Sequence, residues 1–219
     1  MDDIVFLTTV LLPALWDGVL VTLLLIAVAA PFGFLLGISL AVGRTYGTRL
    51  ISFPCKAFVI FVKGIPLLLL LFILYFGLPS VGIRFPSAEW AAIIGFIFCN
   101  GAYSSEYIRG ALLSVKEGQM IAAQALGMTR VQAVKNIVLP QALRRAIPGL
   151  TNEFIYLIKY SSLAYMITVI ELTGAGKLVA TKYFTFNETF IVVGIVYLFL
   201  VTVTTLVANR LEKKYAVPV

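Results

Sequence analysis

The chain has 219 residues, 61% hydrophobic and only 12% charged, with a mean hydropathy of +1.01. Soluble domains carry about 25% charged residues, so a surface facing water on all sides is excluded and the main solvent is lipid. The net charge of +7 comes from 17 Lys and Arg against 10 Asp and Glu, and their positions decide between nucleic-acid binding and membrane topology.

In chain order, charges separate apolar runs. None occurs from Gly18 to Gly43, from Gly64 to Ile83, from Trp90 to Ser105 or from Thr189 to Asn209. A helix needs roughly 20 residues to cross about 30 Å of hydrocarbon. The third run is short unless its helix continues past Glu106. A fifth apolar stretch, between Arg145 and Glu171, contains Glu153 and Lys159. Five spans are therefore expected, at about 16–43, 57–79, 88–112, 147–170 and 188–210 of a single domain, 1–219. The first is too long for a removable signal peptide and lacks a small-residue cleavage site. Within it Pro31 predicts a kink, and Gly33 and Gly37 offer a flat face to a neighbouring helix. Cys55 and Cys99 read as small hydrophobes, and the absence of histidine removes the usual catalytic base and zinc ligand.

Basic residues set an orientation. Arg44, Arg49, Lys56 and Lys63 follow the first span, six more lie between Arg109 and Arg145, and Arg210, Lys213 and Lys214 follow the last. The opposite side holds Arg84, Lys177 and Lys182, with Asp2, Asp3 and Asp17 at the amino end. The positive-inside rule then predicts the amino end outside and the carboxyl end in the cytoplasm. The excess of basic residues records topology, and no nucleic-acid partner is expected.

The cytoplasmic segment 114–145 carries helix signals. Ser114-Val115-Lys116-Glu117 and Thr129-Arg130-Val131-Gln132 each fit a capping box. Between them an alanine-rich helix stops at Gly127. Val131, Val134 and Val138 follow at helical spacing until Pro140 interrupts. Two short helices joined by a glycine turn are expected, either as an unpartnered hairpin on the membrane surface or as a docking element for another protein.

Here the sequence resembles a family. Ala122-Ala123, then Gly127, then Ile137-x-Leu139-Pro140 is similar to the EAA loop of ABC importer permeases. Phe61-Val62-Lys63-Gly64-Ile65-Pro66, Tyr75-Phe76-Gly77-Leu78-Pro79, Ala102-Tyr103-x-x-Glu106-x-x-Arg109-Gly110 and Leu139-Pro140-Gln141-Ala142-x-Arg144 narrow it to the polar amino-acid uptake family, of the glutamine, histidine and arginine type. The match runs from about residue 14 to residue 214. Two positions depart from the pattern: Ile121 replaces the acid that opens the EAA element, and Tyr160 replaces the acid after Lys159.

The resemblance implies an all-α integral membrane protein of five transmembrane helices with a cytoplasmic coupling helix, as in type I ABC importers. It implies a second permease subunit, identical or homologous, and two cytoplasmic ATPase subunits. It further implies an extracytoplasmic amino-acid-binding protein and an amino-acid substrate moving through membrane lipid. No cofactor is implied in this chain; ATP and Mg²⁺ belong to the ATPase. Coupling would fall to Ala122, Ala123, Gly127, Ile137, Leu139 and Pro140. The one nucleotide-like motif, Gly174-Ala175-Gly176-Lys177-Leu178, fails as a P-loop because Glu171 and Leu178 stand where Gly and Ser or Thr are required. It reads as a glycine-rich turn before the last span.

Pathway candidates are polar groups that lipid does not tolerate. Glu153 either meets a substrate ammonium or accepts hydrogen bonds from a neighbouring helix. Lys159, six residues on, lies about 240° round the helix from it, and braces the outer gate or a subunit contact. Asn100, Tyr103, Ser104 and Tyr107 share one broad helical side, as pathway lining or interhelical hydrogen bonds. Glu106 and Arg109 fit a structural ion pair. The competing classes are a stand-alone secondary transporter or channel, which calls for internal repeats, and a membrane enzyme, which calls for clustered catalytic groups.

Overall fold

A computed structural model describes residues 3–215, all of whose regular elements are helical. Asp2 lies outside the described residues. We number the helices α1 (Ile4–Tyr46), α2 (Arg49–Gly64), α3 (Leu67–Ser80), α4 (Ala88–Ser114), α5 (Glu117–Ala125), α6 (Arg130–Ile167), α7 (Leu172–Tyr183) and α8 (Phe186–Tyr215).

Helices α1 and α8, with 43 and 30 residues, are each long and apolar enough to cross a membrane. Two bent pairs, α2 with α3 and α6 with α7, raise that number to four. Helix α4 has the length, 27 residues or about 40 Å, and continues past Glu106 to Ser114. It carries the polar groups of the bundle centre, and its most extensive contact is with α1, followed by α6.

The expected second span is a bent pair. Helices α2 and α3 meet at 106° around Ile65 and Pro66. Pro66 has no N–H to donate and drives the residue before it out of the helical region; Ile65 is extended, with φ −112° and ψ 145°. The helix of the first span runs unbroken through Pro31. Pro140, expected to interrupt its helix, does not. The backbone widens into a π turn over Val134–Val138 and continues. The same device recurs before Pro13, at Leu7–Leu11, and before Pro79, at Ile73–Gly77. In each case the carbonyl four residues ahead of the proline lies inside the π turn, where the wider spacing relieves the clash that proline imposes in an α-helix.

The flat face expected at Gly33 and Gly37 is present. A Cβ on Gly33 would collide with the Asn100 side chain, and one on Gly37 would lie 2.8 Å from Ser104 Cβ. Helices α1 and α4 therefore pack in parallel at close range, with Leu36 filling the notch over Gly101. The core divides into a central cluster around Leu25, Leu71, Phe96 and Leu157, an amino-terminal one of Leu11, Leu15 and Val193, and a third around Ile108 and Ala142.

Two further expectations are corrected. The capping box at Ser114 is absent, because Ser114 closes the last turn of α4 and its Oγ donates to the Ala111 carbonyl at 2.8 Å. The glycine-rich turn is helix α7, whose small residues serve close packing: Gly18 faces Leu172 and Ala175, and Gly176 faces Val193.

Candidate functional site

The segment expected to couple is a single short helix followed by the start of a long one. Helix α5 ends at Ala125, and Gly127 takes φ +84°, in the left-handed region. Its N–H reaches the Gln124 carbonyl at 2.9 Å, while Met128 N–H reaches Ala123 at 3.1 Å. This double closure is a Schellman stop. Thr129 and Gln132 then form the expected capping box, with Thr129 N–H donating to Gln132 Oε1 at 2.8 Å. The second short helix is the first turns of α6, which runs on into the membrane-spanning bundle.

Gly127→Val places a β-branched residue in the left-handed region and costs about 1–3 kcal/mol locally. The expected readout is faster hydrogen exchange at the Gly127-position and Met128 amides; unchanged protection there would count against this stop.

Among the coupling candidates, Ala122, Gly127 and Pro140 are exposed, Ile137 and Leu139 half-buried, and Ala123 is buried against its own chain. Ala123 therefore holds the helix down while Ala122 faces outward. Around it stand the exposed apolar side chains of Ile121, Leu126 and Val131. The loop is tied back at three points. Arg145 Nη1 donates to the carbonyl and hydroxyl of Ser114 at 2.5 and 3.0 Å, Gln141 Nε2 to Gln119 Oε1 at 3.4 Å, and the Arg130 guanidinium lies 5.8 Å from the Tyr46 ring centre.

The pathway candidates separate. Asn100 and Ser104 are buried and line a cavity of about 330 Å³ with Pro31, Leu150 and Phe154, between α1, α4 and α6. Tyr103 is exposed on the adjoining face of α4. Glu153 is 3% exposed and accepts a hydrogen bond from Tyr160 Oη at 2.8 Å. Its partner thus comes from its own helix, one of the two positions that depart from the family pattern. Lys159 points away, exposed, with Nζ 5.3 Å from the Tyr156 ring centre. The two charges do not pair.

Glu106 and Arg109 do pair, at 3.3 Å, within a larger cluster. Arg44 Nη1 lies 3.0 Å and Lys63 Nζ 3.5 Å from Glu106 Oε1. Sequence reasoning missed both added cations, since they arrive from α1 and α2. It also missed Glu171, which is fully buried. Its carboxylate accepts from Thr173 N–H at 3.0 Å, Gly174 N–H at 2.9 Å and Tyr197 Oη at 2.9 Å. Thr22 Oγ1 of α1 accepts from Leu172 N–H at 3.1 Å. Glutamate lies outside the usual N-cap set of Ser, Thr, Asp and Asn, so no local capping signal marks it.

With this architecture in view, comparison with known proteins is decisive. The family model described as the inner membrane component of binding-protein-dependent transport systems matches residues 33–217. The chain belongs to this family. Among relatives, this permease is 40% identical over 204 residues to a probable amino-acid ABC transporter permease of Bacillus subtilis (strain 168), covering 93% of this chain and 90% of the relative. A probable glutamine ABC transporter permease of the same organism is 35% identical, with 90% and 91% covered. An octopine transport permease of Rhizobium radiobacter is 38% identical, with 85% and 80% covered. Among solved structures, an amino acid ABC transporter with histidines superposes with a TM-score of 0.86 at 27% identity, covering 98% of this chain and 99% of that one. A methionine ABC transporter in an inward-facing state shares the fold, with a TM-score of 0.79 at 23% identity over 99% of this chain and all of that one. The chain is the membrane permease subunit of an ABC importer, a transport component and not an enzyme.

Proposed function

We propose that this permease lines half of the pathway for a polar or charged amino acid. Its partners would be a second permease, two ATPase subunits that hold ATP and Mg²⁺, and an external amino-acid-binding protein. The substrate class follows the names of the relatives, which include amino-acid, glutamine and octopine permeases. Five spans in one domain, 1–219, place the amino end outside and the carboxyl end in the cytoplasm, beside the basic loops. The observation that carries the reading is the exposed nine-residue helix α5, stopped at Gly127 and tied to α6 through Gln119 and Gln141, next to the Arg145–Ser114 contact at its entry. It is the ATPase-docking element. Ala122 and Gly127 lie at the contact, while Ala123, Ile137, Leu139 and Pro140 fix its angle to the membrane helices. Asn100, Tyr103, Ser104 and Glu153 belong to the pathway, and Lys159 to its outer rim or the subunit contact.

The test is co-purification with the ATPase and transport in proteoliposomes. Ala122→Glu is expected to weaken ATPase association at least tenfold while the permease still inserts. Normal ATPase capture by this variant, or transport by the parent without ATPase or ATP, would overturn the reading.

A further inference from the structure

The cluster around Glu106 is electrically unbalanced. Three cations, Arg44, Lys63 and Arg109, lie within 3.0 to 3.5 Å of one carboxylate. Arg44 is the most enclosed, with 12% of its side chain exposed, against 34% for Lys63 and 37% for Arg109. Arg109 engages Glu106 through Nε, and among the described residues its two terminal nitrogens make no hydrogen bond. Two positive charges are thus left with open donors at one place. Excess charge within a membrane bundle is stable where it faces water or a counter-charge.

The surroundings indicate which face this is. The apolar faces of the chain expose Leu, Ile and Phe, as α8 does at Ile191, Leu198 and Phe199. From Asn100 to Gly110, by contrast, α4 exposes no aliphatic side chain; its open positions are Tyr103 and Gly110, flanked by half-buried Glu106, Tyr107 and Arg109. Lys63 Nζ sits 5.4 Å from the Tyr103 ring centre, so the cationic cluster and the Tyr103 face are continuous. Glu106 is six residues beyond Asn100, about 9 Å further along the helix in the direction of the coupling loop. The polar face therefore leads from the cavity at Asn100 and Ser104 to a cationic mouth.

We propose that Lys63 and Arg109 form an oxyanion site at the cytoplasmic mouth of the pathway, which receives the carboxylate of the departing amino acid. Arg44 fixes the Glu106 carboxylate, which neutralises one of the three cations and holds Lys63 and Arg109 beside it. The site then attracts a carboxylate without burying it, since both donors stay partly open to water. Every α-amino acid carries that group, so the site favours amino acids as a class over neutral solutes and leaves side-chain choice elsewhere. This inference rests on the functional reading above.

The experiment uses the complete importer, with ATPase and binding protein, in vesicles of purely zwitterionic lipid and in vesicles with added anionic lipid. The probe is whichever of radiolabelled glutamine, histidine or arginine the parent complex transports best. Lys63→Gln combined with Arg109→Gln is expected to lower kcat for transport at least tenfold in both vesicle types, with little change in the KM for the loaded binding protein. Lys63→Arg is expected to retain at least half of the parent rate. Lys63→Gln alone leaves Glu106 paired with Arg44 and Arg109, and decides the matter should the double variant not assemble; it is expected to lose about threefold or more. Parent-like transport by the neutral variants overturns the proposal. So does a defect confined to vesicles containing anionic lipid, which would assign the donors to a headgroup phosphate. Failure of Lys63→Arg to retain function marks the position as structural and also overturns it. If the parent complex moves no amino acid, the functional reading itself fails and the site falls with it.

Discussion

Gly37→Leu is expected to lower the stability of this permease by about 3 kcal/mol or more, the upper range for overpacking a tight interior. A Cβ at this position would stand 2.8 Å from Ser104 Cβ and 3.2 Å from the Gly101 carbonyl oxygen. The second of these is backbone and cannot rotate aside. Relief requires α1 and α4 to separate, and theirs is the most extensive helix contact in the chain. In a membrane, helices gain little from hydrophobic exclusion and depend on close backbone approach. For a chain of this size the loss corresponds to roughly 10 °C in thermal midpoint. Gly194→Leu is the control, since a Cβ there meets nothing within 4 Å, and it is expected to melt like the parent. Equal melting of Gly37→Leu and the parent in detergent would show that the α1–α4 seam is looser than described.

The second large effect is expected at Glu171. Replacing it with alanine removes the cap of α7, leaves the buried Gly174 N–H without its acceptor, and reduces the half-buried Tyr197 hydroxyl to its contact with Thr173 Oγ1 at 3.0 Å. Loss of a helix cap costs about 1 kcal/mol and an unsatisfied buried polar group about 1–3 kcal/mol. Glu171→Ala should therefore cost about 3 kcal/mol, against about 1 kcal/mol for Tyr197→Phe, which deletes one hydroxyl. The two changes share a hydrogen bond, so the double variant should lose less than the two single losses added together. Additive losses in chemical denaturation would mean that Glu171 and Tyr197 act separately.

These sites differ in how visible they are from the sequence. Gly33 and Gly37 were legible because helical spacing puts both on one face whatever the partner. Gly127 and Thr129 were legible because a left-handed stop and a capping box are written within a few residues. Ser114 misled for the same reason: its local pattern fits a helix start, while the preceding helix claims it as a last turn. Pro140 was read by its intrinsic cost, and the π turn that absorbs that cost leaves no mark in composition. The three cations at Glu106 come from three helices, with Arg44 62 positions away, a distance over which charge spacing carries no information. Tyr160 was noted only as a departure from the family pattern. Its hydrogen bond to Glu153, seven residues back on the same helix, went unread because Glu153 was weighed only against a substrate or a neighbouring helix.

The continuity of α6 through Pro140 has a mechanical consequence. The helix that begins beside α5, at Arg130, is the same continuous helix that carries Glu153 into the bundle. The two residues are separated by about 35 Å of helix. A helix of that length can act as a lever: tilting it by about 10° about its Arg130 end would sweep the level of Glu153 sideways by about 6 Å. A broken helix at Pro140 would have acted as a universal joint and dissipated such a stroke. The single widened turn lets proline stand at the boundary of the loop while the helix backbone stays continuous.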